Sequence, residues 1–449
     1  MTKDLLHDDL AEGAVPFDPA DYTRKENAAG LARRVKEHGP WYQELILSEK
    51  GAPKSILANA IMALRKATEW ENVLWHNEFT TAILARRRPP WEADKADWQE
   101  RQWTDYDDLM AAEWLQRAGI YVRHDIAAKA VQVVARERPF HPVREYLDPL
   151  NWDGICRLDN WVVNYLGVEP STYARAVGRR FFIAAVARVY RPGCKADCAL
   201  ILEGEQGTGK STALKTLTEP WFTDEIADFG SKDAAEQTVG VWLVELAELG
   251  SLSRPEVGKI KAFMSRSTDR FRPAYGRRVT EFARQCVFAG TVNDDDYLRD
   301  ETGGRRFWPI KCGTIDIAKL ANSRDQLWAE ATEAYRRGEP WWLDTDQLKR
   351  AASEQQAARY QGDPWDCLIR QYIEPTNEAA EPIAEETKES VSVGEILTKV
   401  LHIEKGRWSQ QDQTRVAGCL KSMGWVRYQE REGAKRTWRY RKNPVTSSD

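Results

Sequence analysis

Gly204-Glu-Gln-Gly-Thr-Gly-Lys-Ser211 sets glycines, a lysine and a hydroxyl at the spacing G-x-x-x-x-G-K-[ST]. Each residue type has a use in holding a polyphosphate. Gly204, Gly207 and Gly209 carry no Cβ, so the backbone can wrap closely and aim its N–H groups at phosphate oxygens. Lys210 would reach the β- and γ-phosphates, and the Ser211 hydroxyl would hold Mg²⁺. Glu205, Gln206, Thr208 and Thr212 fill out the phosphate-contacting stretch. The spacing therefore predicts binding of a nucleoside triphosphate.

Such a loop needs an acidic partner to organise Mg²⁺ and an attacking water. Glu245 closes the apolar run Val241-Trp-Leu-Val244, and Glu248 follows three residues later. Along an extended strand these carboxylates point to opposite faces, so they converge only if the chain turns after Glu245. Glu245 is assigned to the Mg²⁺ water shell and Glu248 to the attacking water, with the roles exchangeable. Asn293, at the end of the next apolar run, could orient that water or sense the γ-phosphate. Arg305 and Arg306, after the Gly303-Gly304 pair, are candidates for stabilising charge on the transferred phosphoryl group.

A second stretch, Arg266 to Arg278, interleaves five arginines with Phe271 and Tyr275 around a Pro-Ala-Tyr-Gly turn. Basic and aromatic residues on a hairpin tip suit a phosphate backbone with an occasional stacked base. Arg272, Tyr275, Arg277 and Arg278 are the candidate DNA contacts there; a salt-bridged structural loop is the plainer reading.

The elements that must position these groups can be read from periodicity. Ala199–Leu202 is a short buried strand and Thr212–Leu217 is helical, so the glycine loop lies between a strand and a helix N-terminus. Tyr173–Tyr190 reads as a long helix leading into it. Cys286–Gly290 forms a further strand, Pro255–Ser265 an amphipathic helix, and helices resume over 315–321, 324–337 and 345–360. Alternation of this kind implies a parallel sheet covered by helices. Upstream, residues 55–170 read as a mainly helical domain after a polar, partly disordered segment 1–54. Downstream of residues 171–375, an acidic linker over 376–390 precedes residues 391–449. There, helices followed by a hairpin suggest a winged helix-turn-helix. Arg436 and Arg439 on that hairpin are candidate DNA contacts.

Composition sets the outer limits. The net charge of −4 makes the surface as a whole no basic glove for nucleic acid, so such contacts must be local. No apolar run reaches the length of a membrane span, and none of the seven scattered cysteines completes a metal site, which suits reduced thiols in the cytoplasm. The 19 tryptophans read chiefly as core and interface anchors.

The order of parts resembles the superfamily 3 helicase arrangement within the AAA+ class. More closely, several stretches resemble the virulence-associated protein E family of phage and mobile elements: His141-Pro-Val-Arg-Glu-Tyr-Leu147, Asn151-Trp-Asp-Gly-Ile-Cys-Arg-Leu-Asp159, Val241-Trp-Leu-Val-Glu-Leu-Ala-Glu-Leu249, Asp269-Arg-Phe-Arg-Pro-Ala-Tyr-Gly-Arg-Arg278 and Thr302-Gly-Gly-Arg-Arg-Phe-Trp-Pro309. The resemblance spans roughly residues 55–345. It implies an α/β P-loop AAA+ core that hydrolyses ATP, ring assembly (a hexamer) with the arginines supplied in trans, and a role in replicating phage or plasmid DNA in a bacterial host cell. The first 55 residues are too few for the primase domain of longer relatives, so a primase or polymerase would be encoded separately.

The expectation is an ATP-dependent helicase that translocates on single-stranded DNA and opens forked DNA, with no membrane contact. The alternative is an ATP-switched initiator or loader that melts an origin without processive unwinding. A small-molecule phosphotransferase lacks a recognisable acceptor pocket.

Overall fold

A computed structural model describes residues 19–442, apart from positions 95, 227, 248, 250–253, 274–277, 294–303, 360–362, 376–386 and 433–434. The chain divides into two compact units, Met1–Pro149 and Leu150–Asp449.

The first unit packs helices Leu57–Lys66, Asp105–Arg117 and His124–Arg136 around an indole cluster. Trp70 lies at its centre, with the rings of Trp91, Trp103 and Trp114 all within 6.0 Å. These tryptophans are core, as their type suggests. The unit is not simply helical, however. Leu74–Asn77, Ile83–Ala85, Arg101–Gln102 and Pro139–Phe140 form a four-stranded sheet. Strands of two to four residues are too short to show a two-residue period, which is why the sequence reads there as helices and turns.

In the second unit, five parallel strands run in the order Phe307–Lys311, Ala199–Glu203, Val287–Val292, Leu243–Leu246, Phe222–Thr223. The three central strands are buried at every residue, as continuous apolar runs require when helices cover both faces. One covering layer holds Thr172–Tyr190, Lys210–Thr218 and Ile317–Arg336. Trp328 joins these to the sheet, its ring 4.4 Å from Phe182 and 4.2 Å from Trp242. Its indole N–H donates to the Leu217 carbonyl, and that of Trp242 donates to the Ala185 carbonyl. On the other side, Phe263 of helix Arg254–Met264 packs edge-on to Phe288. The sequence reads two helices over 315–337, but Ile317–Arg336 is one. Asn322 and Ser323, which fall between the two expected helices, lie within it, and burial of Leu320, Leu327 and Trp328 overrides their weak propensity.

The turn Asn151–Asp159 is fastened to this long helix. Buried Glu330 accepts the backbone N–H groups of Arg157 and Leu158, and Gln326 accepts that of Asp153. Arg157 forks onto Asp153 and holds its carboxyl at about 2.

The C-terminal part runs helix Pro364–Ile373, strand Ser390–Val391, helix Val393–Lys399, helix Gln410–Ser422, then strands Trp425–Glu432 and Lys435–Lys442. The three strands form an antiparallel sheet with Lys435–Lys442 in the middle. Trp425, Tyr440, Val416 and Leu420 close its core. Arg415 ties helix Gln410–Ser422 to the first helix through a bidentate pair with Asp363. Of the acidic linker read over 376–390, residues 376–386 lie outside the described residues.

Candidate nucleotide site

The glycine loop leaves the C-terminal end of strand Ala199–Glu203 and enters helix Lys210–Thr218. Gly209 caps that helix at φ +92° and Gly207 lies at φ +80°, with nothing within 4 Å of where a Cβ of Gly207 would stand. Both conformations strain any residue with a Cβ. The loop thus keeps its N–H side open at the positive end of the helix dipole. It borders a cleft of about 810 Å³ lined by Gly204, Glu205, Thr208, Asn293, Cys312 and Thr314, among others.

Lys210 and Ser211 follow from the loop. The Lys210 side chain curls back, its ammonium donating to the carbonyls of Gly204 and Glu205 at 2.7 Å each and to Asn293 Oδ1 at 3.2 Å. Burial lowers the Lys210 pKa. Next to it, burial pushes the Cys312 thiol up to about 12, with the Lys210 charge opposing that rise.

Glu245 is reached through the sheet. It sits inside strand Leu243–Leu246 rather than closing it, and is 2% exposed. The intervening strand Val287–Val292 pairs with both neighbours, aligning Ala289 with Glu245 and Val292 with Glu203. Ser211 Oγ donates to Glu245 Oε1 at 2.7 Å, and Thr291 Oγ1 donates to the same oxygen at 2.6 Å. The other oxygen, Oε2, is buried and has no hydrogen-bond partner among the described residues. Leaving a carboxylate oxygen so placed is costly unless something positive comes to it. A hydroxyl on a helix N-terminus and a carboxylate with one spare oxygen are a fitting donor set for Mg²⁺, a hard cation that takes few protein oxygens and keeps its waters. Among the described residues there is no cluster of three or more His, Cys, Asp and Glu that could hold a metal by itself.

Thr291 was not anticipated. It lies two residues before Asn293, which stands just past the end of the same strand, and strand parity carried one residue further could have flagged it. Glu203 was also missed. It is fully buried at the end of the loop strand and takes a bidentate pair from Arg359, just beyond helix Asp346–Ala357. Glu248 lies outside the described residues.

Lys210, Ser211, Glu245 and Asn293 therefore converge. Arg305 and Arg306 do not join them. They precede strand Phe307–Lys311, whose register pairs Phe307 with Ala199 and Lys311 with Glu203, so they stand at the opposite end of the sheet. A five-residue strand separates the two ends by about 16 Å. Arg306 Nε faces Asp197 Oδ2 at 3.5 Å, and both arginines line a different cavity of about 920 Å³ with Arg191, Lys195 and Trp308.

The basic stretch forms an antiparallel pair, Thr268–Phe271 with Thr280–Ala283. Arg272 and Arg278 are exposed beyond it, while Tyr275 and Arg277 lie outside the described residues. Its root enters strand Val287–Val292 at the end away from Asn293. The hairpin therefore joins the sheet at the end opposite the glycine loop, and its root is clamped there. Arg284, fully buried, takes both oxygens of buried Asp269 at 2.6–2.9 Å and donates to the Phe263 carbonyl of the preceding helix. The guanidinium also lies 4.3 Å from the Phe263 ring centre.

On the C-terminal hairpin, Arg436 is exposed but Arg439 is not free for an external partner. Arg439 donates to the Ser390 hydroxyl and carbonyl and pairs with Glu430 at 3.2 Å. No helix among the described residues is long and apolar enough to cross a membrane.

Fold and site together define an α/β protein with a helix-flanked parallel sheet and a glycine-loop cleft at the carboxyl ends of its strands. Residues 147–361 match the virulence-associated protein E-like domain. Among solved structures, one titled the apo structure of the NrS-1 C-terminal region (305–718) is 13% identical. It covers 82% of this chain and 96% of its own, at a TM-score of 0.45. A second, titled the A form apo structure of the same region, has the same identity and coverages at a TM-score of 0.40. No curated protein matches the chain.

Proposed function

We propose that the chain is an ATP-dependent DNA helicase of phage or plasmid replication, a P-loop AAA+ motor of the superfamily 3 type carrying a C-terminal winged helix. The observation that supports the motor reading is the meeting of Ser211 and Thr291 on one oxygen of Glu245, with the other oxygen unpartnered beside the glycine loop. In open α/β sheets ligands bind at the carboxyl ends of strands where the strand order reverses, and the cleft lies there.

On this reading the loop N–H groups take the phosphates, and Lys210 exchanges its two carbonyl partners for β- and γ-phosphate oxygens. Ser211 and Glu245 hold Mg²⁺, which neutralises phosphate charge. Asn293, already bonded to Lys210, senses whether the γ-phosphate is present. Glu248 positions the attacking water. Arg305 and Arg306 lie too far from their own chain's loop to touch its nucleotide, which favours their supply to a neighbouring subunit in a closed ring. Exposed Arg272 and Arg278 suit the single strand.

Strand displacement on a forked DNA substrate tests the helicase reading. ATP- and Mg²⁺-dependent displacement is expected. DNA-stimulated hydrolysis without displacement would leave an ATP-switched initiator or loader instead.

A further inference from the structure

The two faces of the C-terminal hairpin differ in a way that assigns one of them a partner. Register pairs Arg427 with Tyr440, Gln429 with Trp438, and Arg431 with Arg436. Because side chains alternate along a strand, these six share the face that holds Trp425 and Tyr440 in the domain core. That face therefore starts under the helices and continues beyond them as Arg427, Gln429, Arg431, Arg436 and Trp438, all exposed. It carries no carboxylate. The Arg427 guanidinium lies 4.0 Å from the Trp438 ring centre, and the indole remains 49% exposed. On the reverse face the charges are consumed internally: Arg439 is held by Glu430 and Ser390, and the Arg441 guanidinium lies over Tyr428.

We infer that this outward face, together with the exposed side of helix Gln410–Ser422, is a duplex-DNA contact surface in which Arg431, Arg436 and Arg427 meet phosphates and Trp438 lies against the backbone or groove. Three arginines on one hairpin face, with no carboxylate among the described residues of that face, are the electrostatic footprint of a polyanion. The helix favours a duplex over a single strand. It fits a major groove in width, and its exposed residues Gln410, Gln411 and Thr414 are neutral donors and acceptors suited to base edges. This rests on the winged-helix reading of the C-terminal segment and is independent of the ATPase.

The test uses the full chain without nucleotide, binding a fluorescent duplex and a single strand of the same length across a salt series. Arg431→Ala/Arg436→Ala should weaken duplex binding roughly tenfold and reduce the salt slope by about two units. Trp438→Ala should weaken it further without changing that slope. Arg439→Ala is the contrasting variant: it should lower the thermal stability of the C-terminal part and leave the salt slope intact. Unchanged duplex affinity and slope in the folded double variant would overturn the proposal, as would an equal or greater loss for the single strand. A failure here would leave ATP hydrolysis untouched, whereas failure of the motor reading would show in hydrolysis and strand displacement and leave this nucleotide-free binding unchanged.

Discussion

Ser211, on the helix that follows the glycine loop, and Glu245 are 34 residues apart and share a hydrogen bond of 2.7 Å, although the loop's strand and that of Glu245 are separated by strand Val287–Val292. That strand supplies Thr291 to the same carboxylate oxygen and Asn293 to Lys210. The start of the helix after the loop is therefore hydrogen-bonded both to the acidic strand and to the end of the strand between them.

The first prediction follows from that connection. Glu245→Gln keeps the side-chain volume but removes the charge, so it should lower Mg²⁺-dependent hydrolysis roughly 10²-fold or more. Nucleotide binding in the presence of a chelator should change little. Thr291→Val removes one donor to the carboxylate and should cost roughly five- to tenfold in turnover. Steady-state hydrolysis across a Mg²⁺ titration checks both, and equal activity of wild type and Glu245→Gln at saturating Mg²⁺ would remove Glu245 from the site.

A second prediction concerns the arginines at the far end of the sheet. Arg305→Ala/Arg306→Ala and Lys210→Ala should each be inactive alone, the former by roughly 10³-fold. Mixed in equal amounts, they should regain up to about a quarter of the sites by random assortment around a ring. Hydrolysis against mixing ratio is the readout, together with a mass measurement in ATP and DNA. A strictly monomeric mass and no recovery at any ratio would contradict supply in trans.

The clamp at the root of the basic hairpin separates stability from DNA contact. Arg284→Ala removes the bidentate partner of buried Asp269 and leaves it only Arg266 at 3.7 Å, which should cost about 3 kcal/mol in the unfolding of the second unit. Arg272→Ala/Arg278→Ala changes two exposed side chains and should shift stability by no more than about 0.5 kcal/mol. The exposed pair should instead lose stimulation of hydrolysis by single-stranded DNA. Thermal melts and DNA-stimulated assays on the same samples distinguish the two roles.

What could be read from the sequence was what is local. The glycine loop needs only its own eight residues and the strand and helix beside them, and those elements lie within two residues of where periodicity puts them. Glu245 was legible because an apolar run ends in a carboxylate. Thr291, Glu203 with Arg359, and Arg284 with Asp269 were not, because each acquires its role from a residue brought close only by the fold. The same reason explains Arg439: a basic residue in a basic tail looks available until Ser390 and Glu430 are placed beside it.

The central claim is that the glycine-loop cleft hydrolyses a nucleoside triphosphate, and Lys210 tests it most directly. Lys210 holds the loop through the carbonyls of Gly204 and Glu205 and through Asn293. Mg²⁺-dependent release of phosphate from ATP should be measured for the wild type and Lys210→Ala, with and without single-stranded DNA. The account predicts hydrolysis by the wild type, stimulated by DNA, and a loss of at least roughly 10²-fold in the variant with its fold intact. Near-wild-type turnover by a folded Lys210→Ala protein would contradict it.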